Sequence, residues 1–370
     1  YFERRSFTRK RVERKRGLDC RGDHRGRIRR ALSFFDRSAN LGQGLVQLFY
    51  LVFTIFCVLG CSSQVGNTIE SSGSLKEKRI VHQGLEREYL LYAPITAKPS
   101  LPLVIVMHGY TGNMYDTASY VGMNELADEH NFLVAYPQGT ADSDGNNFFN
   151  VGYDFHSSSN VDDVGFVRAM VEEIDNQYEL NRDAVFATGM SNGGDMSFLL
   201  ACEASDLFRA IAPVAGSMMT NMLNQCEPEI ALPVLEIHGD EDRVTRLGGD
   251  RENEDGWGAY WDLETTMAFW ARKNGLSGRT EVLSEYPNGD GKLVRSITWH
   301  ADDHSREVRF LVVKGGGHDW PGGRFNKWSP TYWLGRMAFG LGDNQAFNSS
   351  QIIWSFFQES LGWPKMESET

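Results

Sequence analysis

The stretch AVFATGMSNGGDMSFLLAC, residues 184–202, changes character at its middle. Ala184 to Thr188 is a short apolar run with no polar alternation, the pattern of a strand buried on both faces. From Gly193 onward the chain reads as a helix. Only Gly189-Met190-Ser191-Asn192-Gly193 lies between them, too few residues for a loop. A strand-to-helix turn this tight forces Ser191 into a strained backbone. Glycines two before and two after it keep Cβ atoms from colliding with neighbouring elements. The serine hydroxyl is then presented above a helix N-terminus. A bare G-x-S-x-G says little; the strand before it and the helix after it make it informative.

The same alternation extends outward. YLLYAP, LPLVIVMHG, NFLVAYPQG, AIAPVAGS, LPVLEIHGD and EVRFLVVKGGG are short apolar, β-branched runs ending in Gly, Pro or polar residues, and they read as buried parallel strands. Between them, VDDVGFVRAMVEEIDNQY places Val164, Val167, Val171, Ile174 and Tyr178 on one helical face, with Asp162 and Asp163 at the positive end. Further helices are expected near 116–130, 193–204, 259–274 and 349–361. Strand and helix alternating in this way predict an α/β fold: one domain over 79–362 with a doubly wound, mostly parallel sheet and no large lid.

A serine hydroxyl is a weak nucleophile at neutral pH. It needs an imidazole to take its proton and a carboxylate to orient that imidazole. On such a turn in an α/β-hydrolase sheet the partners follow in the order serine, acid, histidine. LPVLEIHGDEDRV offers the acid: a strand ends near Ile237, Gly239 turns the chain, and Asp242 is best placed to curl back over the sheet edge. Asp240 remains the alternative, with turn capping as its other use. For the base, His318 directly follows EVRFLVVK, and the glycines of GGGHDWPGG let that loop approach the nucleophile. His300 and His304 fall in a polar loop before the last strand, and His82, His130 and His156 read as surface or loop residues. His108 and His238, each before a glycine at a strand end, are expected to bond backbone. The backbone amides of Tyr110, in IVMHGYTGN, and Asn192 would receive the oxyanion of a tetrahedral intermediate.

The charge is unevenly spread. The chain has 37 Lys+Arg against 49 Asp+Glu over 370 residues, yet residues 1–61 carry 14 against 5. The remainder is strongly acidic, which disfavours nucleic acid and anionic membrane surfaces as partners. After the basic segment, an apolar run from Leu45 to Gly60 stops at Cys61, the order expected of an export signal. VLGC is similar to a lipobox, which would make Cys61 a lipidation site and the only link to a membrane. Residues 62–78 read as a polar tether and 363–370 as a polar tail. Of five cysteines, Cys202 and Cys226 remain for the mature domain; in an exported protein they are expected to pair, two buried thiols being the alternative. No metal cluster and no cofactor motif is found, and a monomer is expected.

With these residues in view, the chain resembles the secreted poly(3-hydroxybutyrate) depolymerase-like esterases, kin of feruloyl and acetylxylan esterases. The resemblance runs over about residues 79–360, through HGYTGN, YPQGT, VDDVGFVRAMV, GMSNGGDMSFLLACEASDLFRAIAPVAGSM, LPVLEIHGDEDRV, TMAFWARKNG, GGGHDWPGG and IIWSFF. It implies a Ser191-Asp242-His318 triad and an exported serine esterase acting on a polyester or a feruloylated or acetylated polysaccharide. Two departures stand out: FFNVGYDFHSSSN stands where family members often carry a Trp-Asn-Gly and a cysteine pair, and TRLGGDRENEDGWGAYWD is longer and more acidic than the expected turn. Tyr110, Phe149 and Trp320 are expected as cleft walls. An acyltransferase on the same triad, a serine peptidase and a non-catalytic glycan-binding lipoprotein are the competing classes.

Overall fold

The computed structural model describes residues 73–97, 99–287, 289–324 and 344–364. In chain order these form β1 (Ser74–His82), β2 (Leu85–Ala93), β3 (Leu103–Met107), α1 (Met114–Tyr120), α2 (Met123–His130) and β4 (Leu133–Pro137). A small hairpin of β5 (Thr140–Ala141) and β6 (Asn147–Phe148) follows, then α3 (Asp163–Tyr178), β7 (Val185–Met190), α4 (Asn192–Glu203), β8 (Ala210–Val214), α5 (Thr220–Gln225) and β9 (Val234–Gly239). The last third holds α6 (Leu263–Lys273), β10 (Gly278–Glu285), β11 (Leu293–His300), β12 (Glu307–Val313) and α7 (Ser349–Leu361).

Ten strands make one sheet in the order β1-β2-β4-β3-β7-β8-β9-β12-β11-β10. The six from β4 to β12 in that order are parallel. Antiparallel pairs close both edges. β3 shows why the centre is so apolar. Successive side chains point to opposite faces, so Leu103, Ile105 and Met107 enter one core while Val104 and Val106 enter the other. The first core is covered by α3, α4 and α6 through Phe166, Phe198 and Trp270. The second is covered by α1, α2 and α7 through Met114, Leu126 and Phe357. A parallel sheet sandwiched between helices in this way is the α/β-hydrolase fold, in one domain.

The ends of the helices are specified locally. Asp162 caps α3 by accepting from the Gly165 amide at 2.7 Å, Asp262 caps α6 through the Thr265 amide at 2.8 Å, and Asn348 caps α7 through Gln351. Cys202 on α4 and Cys226 after α5 form the expected disulfide.

Several sequence expectations are corrected. β2 is antiparallel to β4, not part of the parallel set. β1 starts at Ser74, inside the stretch 62–78 read as a tether, because its charged residues pair backbone to backbone with β2 while most of its side chains face water. The domain therefore begins before residue 79. β10 and β11 were not anticipated, and they place His300 at a strand end, its ring stacked on His304 at 4.2 Å. His156 is buried against Phe148, not at the surface. Residues 1–61, including Cys61, the tether up to residue 72, and the tail from 365 lie outside the described residues. Among the described residues no helix is long and apolar enough to cross a membrane.

Parallel strands deliver their carboxyl ends to one edge of a sheet, where ligands of open α/β sheets bind. Here β3, β7, β9 and β12 end there, and the segments that follow carry Gly109, Ser191, Asp242 and His318.

Candidate active site

Ser191 has φ 57° and ψ −121°, the strained conformation its turn requires. The turn has no room to relax. A Cβ on Gly189 would come within 2.6 Å of the Gly193 backbone, and one on Gly193 within 2.3 Å of the Met107 carbonyl. The Ser191 amide donates to the Val214 carbonyl at 2.9 Å, tying the turn to β8. α4 starts at the next residue. Its first amides have no acceptor within the helix by geometry, and the helix dipole adds positive character there.

The end of β3 lies against Ser191: a Cβ on Gly109 would sit 3.4 Å from Ser191 Cβ and 3.9 Å from its Oγ. Tyr110, the next residue, is held by its hydroxyl, which donates to Asp142 Oδ2 at 2.6 Å, and by its ring, edge-on to Trp257 at 5.6 Å. His108 fixes the strand end from behind. Its Nε2 accepts from the Gly139 amide at 2.9 Å and its Nδ1 donates to the Gly109 carbonyl at 2.8 Å. Burial pushes this imidazole down to about 4, so it stays neutral. Asn192 is buried, and its side-chain amide exchanges two hydrogen bonds with the Phe149 backbone at 2.7 and 2.9 Å.

On the other side of Ser191, beyond β8, the Asp242 and His318 loops meet. His318 Nδ1 donates to Asp242 Oδ2 at 2.8 Å, and Asp242 Oδ1 accepts from the amides of Val244 and Thr245 at 2.8 and 2.9 Å. Burial raises the Asp242 carboxyl, but the charge and hydrogen bond of His318, with His238 and the Val244 amide, outweigh it and hold the group below its ordinary range. The two loops touch backbone to backbone. A Cβ on Gly239 would fall 2.3 Å from the Gly316 carbonyl, so position 239 has room only for glycine. Asp240, the alternative acid, instead receives Lys314 Nζ at 2.9 Å and the Gly315 amide at 2.7 Å, so it staples the histidine loop.

Two expected cleft walls are not walls. Phe149 is 0% exposed and packs on the His108 ring, and Trp320 is 1% exposed, with its Nε1 donating to Ser350 Oγ on α7. Tyr110 turns its ring into an aromatic cluster with Phe155, His156 and Trp257. The cleft beside Ser191 is lined instead by Tyr153, Asp195, Ser217, Met219, Trp257 and Tyr260, along with Val244 and Thr245. Trp257 and Tyr260 come from the long acidic insertion. Its charges serve the loop itself: Asp250 accepts from the amides of Glu254 and Asp255, and Arg246 pairs with both of their carboxylates. The signal for Asp195 was present in the sequence, as a single carboxylate in an otherwise apolar helix start. Among the described residues no group of three or more His, Cys, Asp or Glu side chains could hold a metal ion.

The sequence model of the family described as Esterase PHB depolymerase matches residues 87–227. The NocK protein of Nocardia uniformis subsp. tsuyamanensis, which carries an esterase name, is 30% identical over 261 residues, 67% of this chain and 74% of its own. The chain belongs to the PHB depolymerase esterase family. Feruloyl esterase C of Emericella nidulans is 32% identical over 171 residues, covering 46% of this chain and 60% of that one. The Bifunctional acetylxylan esterase/xylanase XynS20E of Neocallimastix patriciarum is 22% identical over 236 residues, 64% of this chain but 31% of that longer protein. The esterase described here is a carboxylic ester hydrolase. The family match ends at residue 227, so it reaches Ser191 but neither Asp242 nor His318.

Proposed function

We propose that the protein is an exported serine esterase working through a Ser191-Asp242-His318 triad and an acyl-enzyme. The observation that carries this reading is the 2.8 Å bond between His318 Nδ1 and Asp242 Oδ2 at the sheet edge where strained Ser191 stands. Asp242 fixes the tautomer that leaves His318 Nε2 able to accept the Ser191 proton. Ser191 Oγ adds to the ester carbonyl, and the oxyanion is received by the amides of Tyr110 and Asn192. Each such donor contributes roughly 2.7–4 kcal/mol to the transition state. His318 then protonates the leaving alkoxide. Water, deprotonated by the same imidazole, releases the acid and restores the serine.

The names of the relatives point to esters of feruloyl or acetyl groups on polysaccharides, and the family name points to a hydroxybutyrate polyester. We assign the substrate to that class: acyl groups joined through ester oxygen to a polymer or its oligomers. Export rests on the apolar run ending at Cys61, and Cys61→Ala should release a lipid-anchored form from the membrane fraction. A fluorophosphonate probe tests the catalytic reading. It should label the wild type stoichiometrically and Ser191→Ala not at all; labelling of Ser191→Ala would remove the nucleophile from its role.

A further inference from the structure

Behind Asp242 lies a second pair of ionisable groups that the reaction above does not use. Glu236 and His238 stand two residues apart on β9, hence on the same face of the strand, and neither side chain has any exposure. His238 Nδ1 lies 3.0 Å from Glu236 Oε1. Its Nε2 lies 2.8 Å from the Thr245 carbonyl and 3.4 Å from Asp242 Oδ2. Both ring nitrogens therefore face acceptors, and a ring with only acceptors around it is satisfied when both nitrogens carry protons. The Asp242 oxygen that His238 faces is the one that receives His318 Nδ1.

We propose that Glu236 and His238 form a positioning pair for the triad acid: an imidazolium, held by Glu236, lies against Asp242 Oδ2 and fixes its orientation and its charge. This rests on the triad reading above. His238 is a positioning residue, since it touches the acid rather than the substrate. Its environment supports a cation. Burial opposes the charge, but Glu236 and Asp242 outweigh burial and raise the imidazole to about 9, while burial raises the Glu236 carboxyl itself to about 7. The other groups that bear on the cluster are Asp195 from α4, His318 and Asp319 from the loop after β12, and Tyr260 from the insertion. A positive charge beside Asp242 weakens that carboxylate's hold on an imidazolium at His318. The enzyme therefore keeps a free base, and activity, down to lower pH.

The test is the pH dependence of kcat/KM for p-nitrophenyl butyrate in wild type, His238→Gln and the double variant Glu236→Gln/His238→Gln. The double variant leaves no unpaired buried charge and so guards against misfolding. In His238→Gln the acid limb should move up by about one pH unit or more, as loss of a charge several ångströms from the base implies at an effective dielectric near 20, and in the double variant, which removes the Glu236 charge as well, by less. At pH 6 kcat/KM of His238→Gln should fall about tenfold, with KM unchanged. A second measurement needs only the wild type: in 15N-histidine-labelled protein at pH 7, both His238 nitrogens should give protonated-type resonances. A superimposable acid limb in His238→Gln, or one unprotonated nitrogen at His238, overturns the proposal. Asp242→Asn separates the two levels. If it retains wild-type kcat the triad reading falls, whereas if it is inactive and the limb stays put, only the role of the pair falls.

Discussion

The hydroxyl of Tyr153 donates to Asp195 Oδ2 at 2.6 Å within the cleft that Ser191 lines, and the Ser217 amide donates to the other oxygen of the same carboxyl at 2.6 Å. Burial nevertheless pushes the Asp195 carboxyl up to about 7 from an ordinary 3.8, against the hydrogen bonds from Tyr153 and Ser217. The folded state thus favours the protonated form. Its contribution to stability is complete below about pH 4 and is lost as pH rises through 7, at about 1.4 kcal/mol for each unit inside that window. Wild type should therefore lose thermal stability relative to Asp195→Asn between pH 4 and pH 7. Parallel Tm curves for the two proteins across that range would show that Asp195 does not titrate this way.

The acid can be assigned by a pair of substitutions. Asp242→Asn should lower kcat by about 10⁴ because the amide favours the wrong imidazole tautomer. Asp240→Asn should stay within a few-fold of wild type, since its bonds to Lys314 and Gly315 only anchor the loop. Steady-state kinetics on both variants decide it, and the reverse ranking would move the acid to Asp240.

Gly239→Ala places a methyl group 2.3 Å from the Gly316 carbonyl, where only backbone can yield. The His318 loop must shift, and a displacement of about an ångström at a catalytic group costs on the order of 10²-fold in rate. Stability should fall by about 1–3 kcal/mol, typical of overpacking. Full activity in this variant would mean that the loops are not held by this contact.

The Cys202–Cys226 bond closes a 24-residue separation. Replacing both cysteines by serine should lower stability by roughly 3 kcal/mol while leaving kcat/KM near wild type, because neither sulfur lines the cleft. Thermal denaturation with and without reductant measures the effect.

Cleavage of p-nitrophenyl acetate or butyrate should proceed without added metal and be unchanged by EDTA. Loss of activity in the chelator, restored by a divalent cation, would count against a mechanism carried by side chains alone.

What was readable in the sequence follows from chemistry that leaves a linear trace. The turns that carry Ser191, Asp242 and His318 were legible because each comes just after an apolar strand and contains at least one glycine. The central strands were legible as short, mostly apolar runs, because burial on both faces favours apolar residues. β1 and β10 were not, because SLKEKRIVH and GRTEVLSE are edge strands held by backbone pairing, with side chains mostly in water. The aromatics were misjudged for a different reason. A loop aromatic gives no sign of which way its ring turns, so Phe149 and Trp320 were expected in the cleft and are in the core, while Trp257 and Tyr260 were hidden in an acidic insertion.

In the proposed triad the nucleophile follows β7, the acid β9 and the base β12, with β8 wedged between the first two. No local hairpin can bring these groups together, so the hydrolytic centre exists only after the most distant pairings in the sheet have closed, the slow step for such topologies. A nascent chain that still lacks its final strand carries a serine with no base to activate it. On that reading, recovery of turnover during refolding is a direct clock for assembly of the sheet.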